Sequence, residues 1–511
     1  MRPFPWGAAV SDTYVGAVDQ GTTGTRFMVF DHAGQVVANA YETHEQYYPE
    51  PGWVEHDAAE IWENTRAVVA SALASAGVAA DQLAAIGVTN QRETTVLWDA
   101  ETGDPIHRAV VWQDRRTTER VEALEADGLT ESIRAKTGLE PDAYFSGTKL
   151  EWLLDNAGGS DDLRARAAAG EVRFGTVDSW LIYKLTGAHV TDVTNASRTL
   201  LYDIHEGAWD DDLLAEFGVP AAMLPEVRPS SDEATYGETD PDGFLGAAVP
   251  VAGALGDQQA ALFGQTCFDP GDAKGTYGTG SFFLMNTGAD AVASEHGLLT
   301  TVAFQRSGEP VQYALEGSIF VTGAAVEWLG DVGLIADPAE TERLARSVDS
   351  TDGVYLVPAF SGLGAPYWDQ RARGTIVGMT RGTGRAHLVR ATLESIAYRT
   401  RDVATAMEAD SGIEMASLRV DGGAVKNDFL CQLQADIVDC DIYRPVVDET
   451  TALGAAYAAG LAVGYWDSLD ELRANWQVDA TFEADPSSDD WDAKYARWQE
   501  AVERSLDWAR E

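Results

Sequence analysis

Apolar residues along this chain fall into two kinds of pattern. Short runs of four to eight, broken by glycine and threonine, suit strands, and longer stretches with three- and four-residue spacing suit helices. In "VGAVDQGTTGTRFMVFD" (15–31) two apolar runs flank a polar turn that holds Gly21, Thr22, Thr23, Gly24 and Arg26, with Asp19 just ahead of it. The pattern predicts a hairpin. "IGVTNQRETTVLW" (86–98) predicts a strand that ends at Asn90-Gln91-Arg92-Glu93, and "VAGALGDQQAALFG" (251–264) a small-residue strand entering a helix through Gly256-Asp257-Gln258. Helical periodicity governs 388–408 and the Ala/Gly-rich "TALGAAYAAGLAVG" (451–464), which suits close packing on a sheet. Near the C-terminus, Trp491, Tyr495, Trp498 and Val502 form one stripe, read as core rather than as a cofactor box. Strands alternating with helices predict an α/β fold.

The opening pattern has an echo. "AKGTYGTGSFFLMN" (273–286) is again a Gly/Thr turn followed by a strand-like run, as a domain duplicated within one chain would produce. At 511 residues two or more domains are expected, and the boundary is placed ahead of the second turn: residues 1–264 and 265–511. A third glycine cluster, "LRVDGGAVKNDFL" (418–430), joins a strand to a helix from about Asn427. Glycines at such a turn let backbone approach a ligand, and the helix N-terminus favours anions.

Charge narrows the setting. Asp plus Glu number 82 against 36 Lys plus Arg, a net charge of −46, spread between apolar segments rather than gathered in a tail. This predicts a solvated acidic surface on a folded core, suited to a halophile's cytoplasm, and excludes nucleic acid and anionic membrane as partners. No apolar run approaches the roughly 18–20 residues of a membrane span. "MRPFPWGAAVSD" lacks the sustained apolar core of a signal peptide, so a cytoplasmic protein is expected. Cys267, Cys431 and Cys440 form no CxxC pair and read as buried free thiols. GxSxG, HExxH and the Walker pattern GxxxxGK[ST] are all absent from the sequence.

Phosphoryl transfer needs a phosphate cradle, a cation, a base near the accepting hydroxyl and exclusion of water. The two Gly/Thr turns, Asp19 at a strand end and Asp257 at a glycine turn supply candidate parts. Each part also has a plainer use: hairpin tip, surface ion pair for Arg92 and Glu93, core tryptophan for Trp112, helix cap for Asp257.

The segments "DQGTTGTR", "PGWVEHD", "NQRETTV", "YFSGTK", "TNASRT", "GDQQAALFGQ", "TYGTGSF", "GLGAPYWD" and "RVDGGAVKNDF", in this order along the chain, are similar to the FGGY carbohydrate kinases of the actin/hexokinase-like ATPase superfamily. "NQRET" with "GDQQAALFGQ" resembles the members that phosphorylate glycerol. The resemblance implies two ribonuclease-H-like domains with a cleft between them, glycerol bound by the first and nucleotide by the second. It implies ATP and Mg²⁺ as cofactors and a homo-oligomer, dimer or tetramer. Asp257 resembles the general base; Arg92, Glu93, Tyr144 and Gln258 resemble the groups that hydrogen-bond glycerol, and Trp112 the aromatic packed on its carbons. Asp19 matches the Mg²⁺-organising carboxylate. Thr22, Thr23 and Arg26 match the first phosphate loop, Thr279 the second, and Gly323, Gly423 and Asn427 positions around the nucleotide. Departures include Gly24-Thr25 where many members have two serines, and "GETDPDGFLGAAVP" (237–250), which lacks the arginine-bearing loop that binds fructose 1,6-bisphosphate in some bacterial members. The alternatives are another carbohydrate kinase of the group, acting on a pentulose or other polyol, and a non-catalytic nucleotide switch.

Overall fold

The computed structural model describes residues 13–158 and 160–510. The N-terminal stretch read above for a signal peptide lies outside them. The chain divides into two compact units. The first holds residues up to Gly264 together with Phe304–Val311 and Thr451–Asn475; the second holds Gln265–Ala303, Gln312–Thr450 and the chain from Trp476 on. The units are therefore not two contiguous halves, because two later segments return to the first.

Unit 1 is built on a sheet of β1 (Tyr14–Gln20), β2 (Gly24–Phe30), β3 (Val36–Thr43), β4 (Leu83–Asn90), β5 (Gly237–Glu238) and β6 (Pro250–Gly256), in the order β5-β6-β4-β1-β2-β3. β1, β2 and β3 pair antiparallel, as the expected hairpin requires, whereas β1, β4 and β6 run parallel. Apolar side chains of β1, β2 and β4, among them Val18, Phe27, Val29, Ile86 and Val88, meet Ile61 and Val68 of α1 (Ala58–Ala76) and Trp180 and Leu181 of α2 (Val177–Thr186) in one buried core. Asp57 caps α1 by accepting from the Ala59 and Glu60 amides.

The other face is covered by the Ala/Gly-rich helix Thr450–Ala462, and glycine makes the approach possible. A Cβ on Gly87 of β4 would lie 2.1 Å from the Ala455 carbonyl oxygen, and one on Gly253 of β6 would lie 2.5 Å from the Ala459 nitrogen. Backbone touches backbone at both points, so a side chain there would push the helix off the sheet.

Unit 2 repeats the plan. Its strands are β7 (Asp272–Tyr277), β8 (Ser281–Gly288), β9 (Leu299–Phe304), β10 (Gln312–Ile319), β11 (Ser417–Gly422), β12 (Ile442–Pro445) and β13 (Val478–Phe482), in the order β9-β10-β8-β7-β11-β12-β13. β7 pairs antiparallel with β8 and parallel with β11, as β1 does with β2 and β4. The repeated Gly/Thr turns thus join equivalent strands of two similar sheets. Further helices are α3 (Val193–Ala196) and α4 (Asp257–Gly264) in unit 1, and α5 (Gly323–Asp331), α6 (Arg385–Ser411), α7 (Asp428–Val438) and α8 (Trp491–Glu503) in unit 2. In the α8 stripe Trp491, Trp498 and Val502 are buried and Tyr495 partly so, as core positions should be. Cys267, Cys431 and Cys440 are free and buried, and burial pushes each thiol up to about 12, so none is a ready nucleophile.

Candidate active site

Ligands of open sheets with parallel strands gather outside the carboxyl ends of those strands. In unit 1, Gln20, Asn90 and Gly256 end β1, β4 and β6 on one row of the ladder, Gln20 opposite Asn90 and Asn90 opposite Gly256. The next residues of each strand, Gly21, Gln91-Arg92-Glu93 and Asp257, leave the sheet together. Residues 21, 92 and 257 are far apart in sequence, and the strand register alone makes them neighbours.

Arg92 and Glu93 are buried, 2% and 1% exposed, and are not the surface pair that a bare dipeptide suggests. Nor does the chain stay extended there. Glu93 has φ = +63° and the Thr94 amide donates to the Arg92 carbonyl at 2.7 Å, so the turn brings Arg92 Nε within 3.8 Å of Glu93 Oε1. Arg92 Nε also lies 3.3 Å from Asp257 Oδ1, and its terminal nitrogens donate to Gln259 Oε1 at 3.3 Å and to the Tyr144 hydroxyl at 3.5 Å. The arginine stem passes so close to β6 that a Cβ on Gly256 would be 2.7 Å from Arg92 Cγ. Asp257 opens α4, and its Oδ1 accepts from the Gln258 amide at 2.7 Å. It is thus both a local helix-start acceptor and the partner of Arg92, and its side chain stays 32% exposed.

Trp112 and Tyr144 meet edge to face with centroids 5.5 Å apart, and the Trp112 Nε1 donates to Thr22 Oγ1 at 2.9 Å. The segment that carries Tyr144 is held from beneath. The buried Lys149 ammonium donates to the carbonyls of Ala143, Tyr144 and Phe145, and burial brings its pKa down to about 7. Asp19 and Arg26 are cross-strand partners on the first hairpin, so their side chains emerge on one face of it. Thr22 is half-buried and Thr23 exposed at the tip.

Several supporting residues escaped the sequence reading. Arg198, fully buried, donates to Glu93 Oε1 at 2.7 Å, the same oxygen that lies 3.8 Å from Arg92 Nε. Beneath the first tip a polar chain runs from Gln20 Oε1 to Gln91 Nε2 (3.0 Å), on to His56 Nδ1 (3.2 Å), from His56 Nε2 to Gln46 Oε1 (2.7 Å), and from Gln46 Nε2 to the Thr22 carbonyl (2.9 Å). Burial pushes His56 down to about 3, so the ring is neutral and joins two glutamines. The signals lay in "PGWVEHD" and "TNASRT", which carry the family resemblance; nothing local marks their side chains as parts of a site.

Unit 2 places its expected residues differently. The second tip carries Thr279, exposed, and its carbonyls are held by the start of α5: Thr322 and Ala324 amides donate to Thr279 O at 2.8 and 3.1 Å, and Gly323 to Gly278 O at 3.0 Å. Gly323 therefore locks the tip to α5, and a Cβ there would be 2.6 Å from Gly278 O. Asn427 caps α7, accepting from the Leu430 amide at 3.0 Å, while its Nδ2 donates to Thr341 Oγ1 at 3.1 Å. Gly423 is exposed, and a Cβ placed on it would meet no atom within 4 Å, leaving room for a ligand at the carboxyl end of β11. A cavity of about 320 Å³ opens beside it, lined among others by Asp421, Gly422, Lys426 and Arg444.

Two sheets of one topology, each ending its first strand in a Gly/Thr tip, with buried cation and carboxylates at the strand ends of one of them, are the framework of a sugar or polyol kinase. Family models for the N-terminal and C-terminal domains of the FGGY family of carbohydrate kinases match residues 14–264 and 273–463, and the chain belongs to that family. It is 74% identical to the glycerol kinase of Haloferax volcanii over 98% of this chain and 99% of that one, and 72% identical to the glycerol kinase of Halobacterium salinarum over 98% and 100%. Among solved structures, the glycerol kinase of Plasmodium falciparum with ADP is 38% identical, covers 97% of this chain and 98% of its own, and superposes with a TM-score of 0.91.

Proposed function

We propose that this protein transfers the terminal phosphoryl group of ATP to a primary hydroxyl of glycerol, yielding sn-glycerol 3-phosphate and ADP. The observation that carries this reading is the grouping of buried Arg92 and Glu93 with half-buried Tyr144 around Asp257 at the carboxyl ends of β4 and β6. A triol offers three hydroxyls that both donate and accept, and this set presents donors (Arg92, Gln258, Tyr144) and acceptors (Glu93, Asp257) for them. Trp112 presents an aromatic wall for the C–H groups. The identity to relatives named glycerol kinase supports the substrate, and the Plasmodium structure with ADP supports the nucleotide.

In this mechanism Asp257 takes the proton of the attacking hydroxyl as its oxygen bonds to the γ-phosphorus, and the bond from phosphorus to the bridging oxygen of ADP breaks in line. Arg92 holds and orients the Asp257 carboxylate, and Glu93, anchored by Arg198, fixes the substrate's other hydroxyls. The Thr22–Thr23 tip with Arg26, and the Thr279 tip with Gly423, supply phosphate and nucleotide contacts through small side chains and backbone. A Mg²⁺ ion would be held by the Asp19 carboxylate, a hard oxygen donor at the end of β1 next to the first Gly/Thr tip. When bound, Mg²⁺ neutralises phosphate charge.

Purified protein with ATP and Mg²⁺ in molar salt should release ADP on addition of glycerol; release with a pentulose and none with glycerol would move the assignment to another kinase of the family. Asp257→Asn should lower kcat by about 10³-fold with little change in glycerol binding, and near-normal turnover would remove Asp257 from the base role. At about 0.1 M salt, activity should fall as 82 carboxylates repel with less screening.

A further inference from the structure

Beside the candidate base lies a buried carboxylate that touches none of the expected ligand groups. Asp192 is fully buried and accepts five hydrogen bonds. Its Oδ1 takes the Asn195 amide, the Asn195 Nδ2 and the Thr194 hydroxyl, each at 2.9 Å; its Oδ2 takes the Thr194 amide at 2.9 Å and the Ser230 hydroxyl at 2.7 Å. Burial pushes its carboxyl above the usual range, and these donors offset only part of that rise. A five-donor shell around one buried carboxylate exceeds what capping the single turn of α3 needs.

The two side chains that Asp192 orients reach outward to the two strands of the site. The Thr194 hydroxyl gives its only hydrogen to Asp192, so it faces the Gly256 amide as an acceptor, at 2.9 Å. Asn195 gives an amide hydrogen to Asp192, which fixes the amide's direction and turns its oxygen to Asn90 Nδ2 at 3.0 Å. Asn90 in turn donates to the Gln91 carbonyl at 2.9 Å. Gly256 immediately precedes Asp257, and Asn90-Gln91 immediately precede Arg92.

We propose that Asp192 is a positioning residue that fixes the Asp257–Arg92 distance by tying the ends of β6 and β4 to α3 through Thr194 and Asn195. β4 and β6 are already paired, but a ladder controls backbone height only to within its own flexibility. Two side-chain ties to one carboxylate remove the remaining freedom at the last residue before each functional group. Misplacement of a reacting group by about 1 Å costs on the order of 10²-fold in rate, so a polar knot here has kinetic weight. The proposal rests on the base role proposed for Asp257.

The test uses the full-length protein in molar salt. Thr194→Val keeps shape and removes the tie to Gly256; Thr194→Ser restores the hydroxyl; Asp192→Asn replaces an acceptor by a donor. Thr194→Val and Asp192→Asn should lower kcat on the order of 10²-fold with glycerol KM changed less than about threefold, and Thr194→Ser should recover most of the loss. Thr176→Val is the control: it removes a hydroxyl bonded to Asp178, another buried carboxylate of the same unit, whose hydroxyl partners Thr176 and Thr191 lie on neither β4 nor β6. It should lower Tm comparably and leave kcat within about threefold. In an Asp257→Asn background Thr194→Val should cost almost nothing further, because its effect acts through that carboxylate. The proposal is overturned if Thr194→Val lowers kcat no more than Thr176→Val, if Thr194→Ser does not rescue, or if the full loss recurs in the Asp257→Asn background. An active Asp257→Asn single variant would instead overturn the base role, and the two failures are thereby told apart.

Discussion

The two Gly/Thr tips join equivalent strands of similar sheets, yet they are held in different ways. The first is braced by side chains from three other segments: Trp112 on the Thr22 hydroxyl, Gln46 on the Thr22 carbonyl and Tyr41 beside the Thr23 hydroxyl at 3.2 Å. The second is braced by backbone, the first amides of α5 on the Gly278 and Thr279 carbonyls. A tip gripped by side chains is rigid and chemically particular, and the strand ends next to it carry a buried Arg92–Glu93 pair with Asp257 at its edge. One gripped by a helix start leaves its own side chain outward and relies on small residues. The contrast sets a tip held by side chains beside the Arg92–Glu93–Asp257 grouping of unit 1 against a tip held by backbone in unit 2.

The strongest way to break this comparison is to remove charge from the first unit. Arg92→Leu should lower kcat/KM for glycerol by about 10²–10³-fold, since it leaves Glu93 and Asp257 without their shared cation. Steady-state kinetics with both substrates would show it, and a loss confined to KM for ATP would assign Arg92 to the nucleotide instead. Next in size, Arg198→Met should destabilise the protein by about 3–5 kcal/mol, because Glu93 loses its 2.7 Å partner while remaining buried. Denaturant unfolding measures it, and a change below about 1 kcal/mol would mean that water reaches Glu93.

Acid should also separate the units. His56 titrates near 6.5 in the unfolded chain and at about 3 in the fold, so its contribution is complete above about pH 6.5 and is lost as pH falls toward 3. His189, pushed down to about 4 by burial, acts in the same direction. In unit 2 the exposed His296 is raised by its hydrogen bond to Asp410, and its contribution has the opposite sign, fading as pH rises through its folded pKa. His56→Gln should therefore flatten the fall of Tm between pH 6.5 and 4, and His296→Gln should not. Smallest of all, Asn427→Ala should cost about 1 kcal/mol of stability through the lost α7 cap. Thr279→Val should leave stability unchanged within about 0.5 kcal/mol, because among the described residues its hydroxyl makes no hydrogen bond. A large rise in ATP KM for Thr279→Val at unchanged Tm would show that the hydroxyl, rather than the tip's backbone, meets the phosphates.

Much of the framework was legible in the residue pattern. Alternation of apolar runs with Gly/Thr turns marks both hairpins, helical periodicity marks α6 and α8, and Ala/Gly content marks Thr450–Ala462 as a close-packing helix. What periodicity could not show is which unit that helix joins. Its packing partners, Gly87 and Gly253, are some 200 to 370 positions earlier in the chain, and only backbone contact at those glycines reveals the match. The bare dipeptide Arg92-Glu93 also reads as a surface pair, whereas the fold buries both residues around a left-handed turn at Glu93.

By itself, then, the sequence determines local conformation, the duplicated plan, an acidic surface and, through its motifs, the family. These are properties of neighbouring residues or of composition, and short-range sterics and solvation are enough to specify them. Tertiary structure alone decides that Asp257 meets the buried Arg92, Glu93 and Arg198 and that Asp192 reaches two strands through Thr194 and Asn195. The Arg92–Asp257 contact follows from parallel register between strands more than 150 residues apart, and the others from segments 62 to 105 residues away that pack at those strand ends. Desolvation then turns what would be weak surface charges into strongly coupled partners.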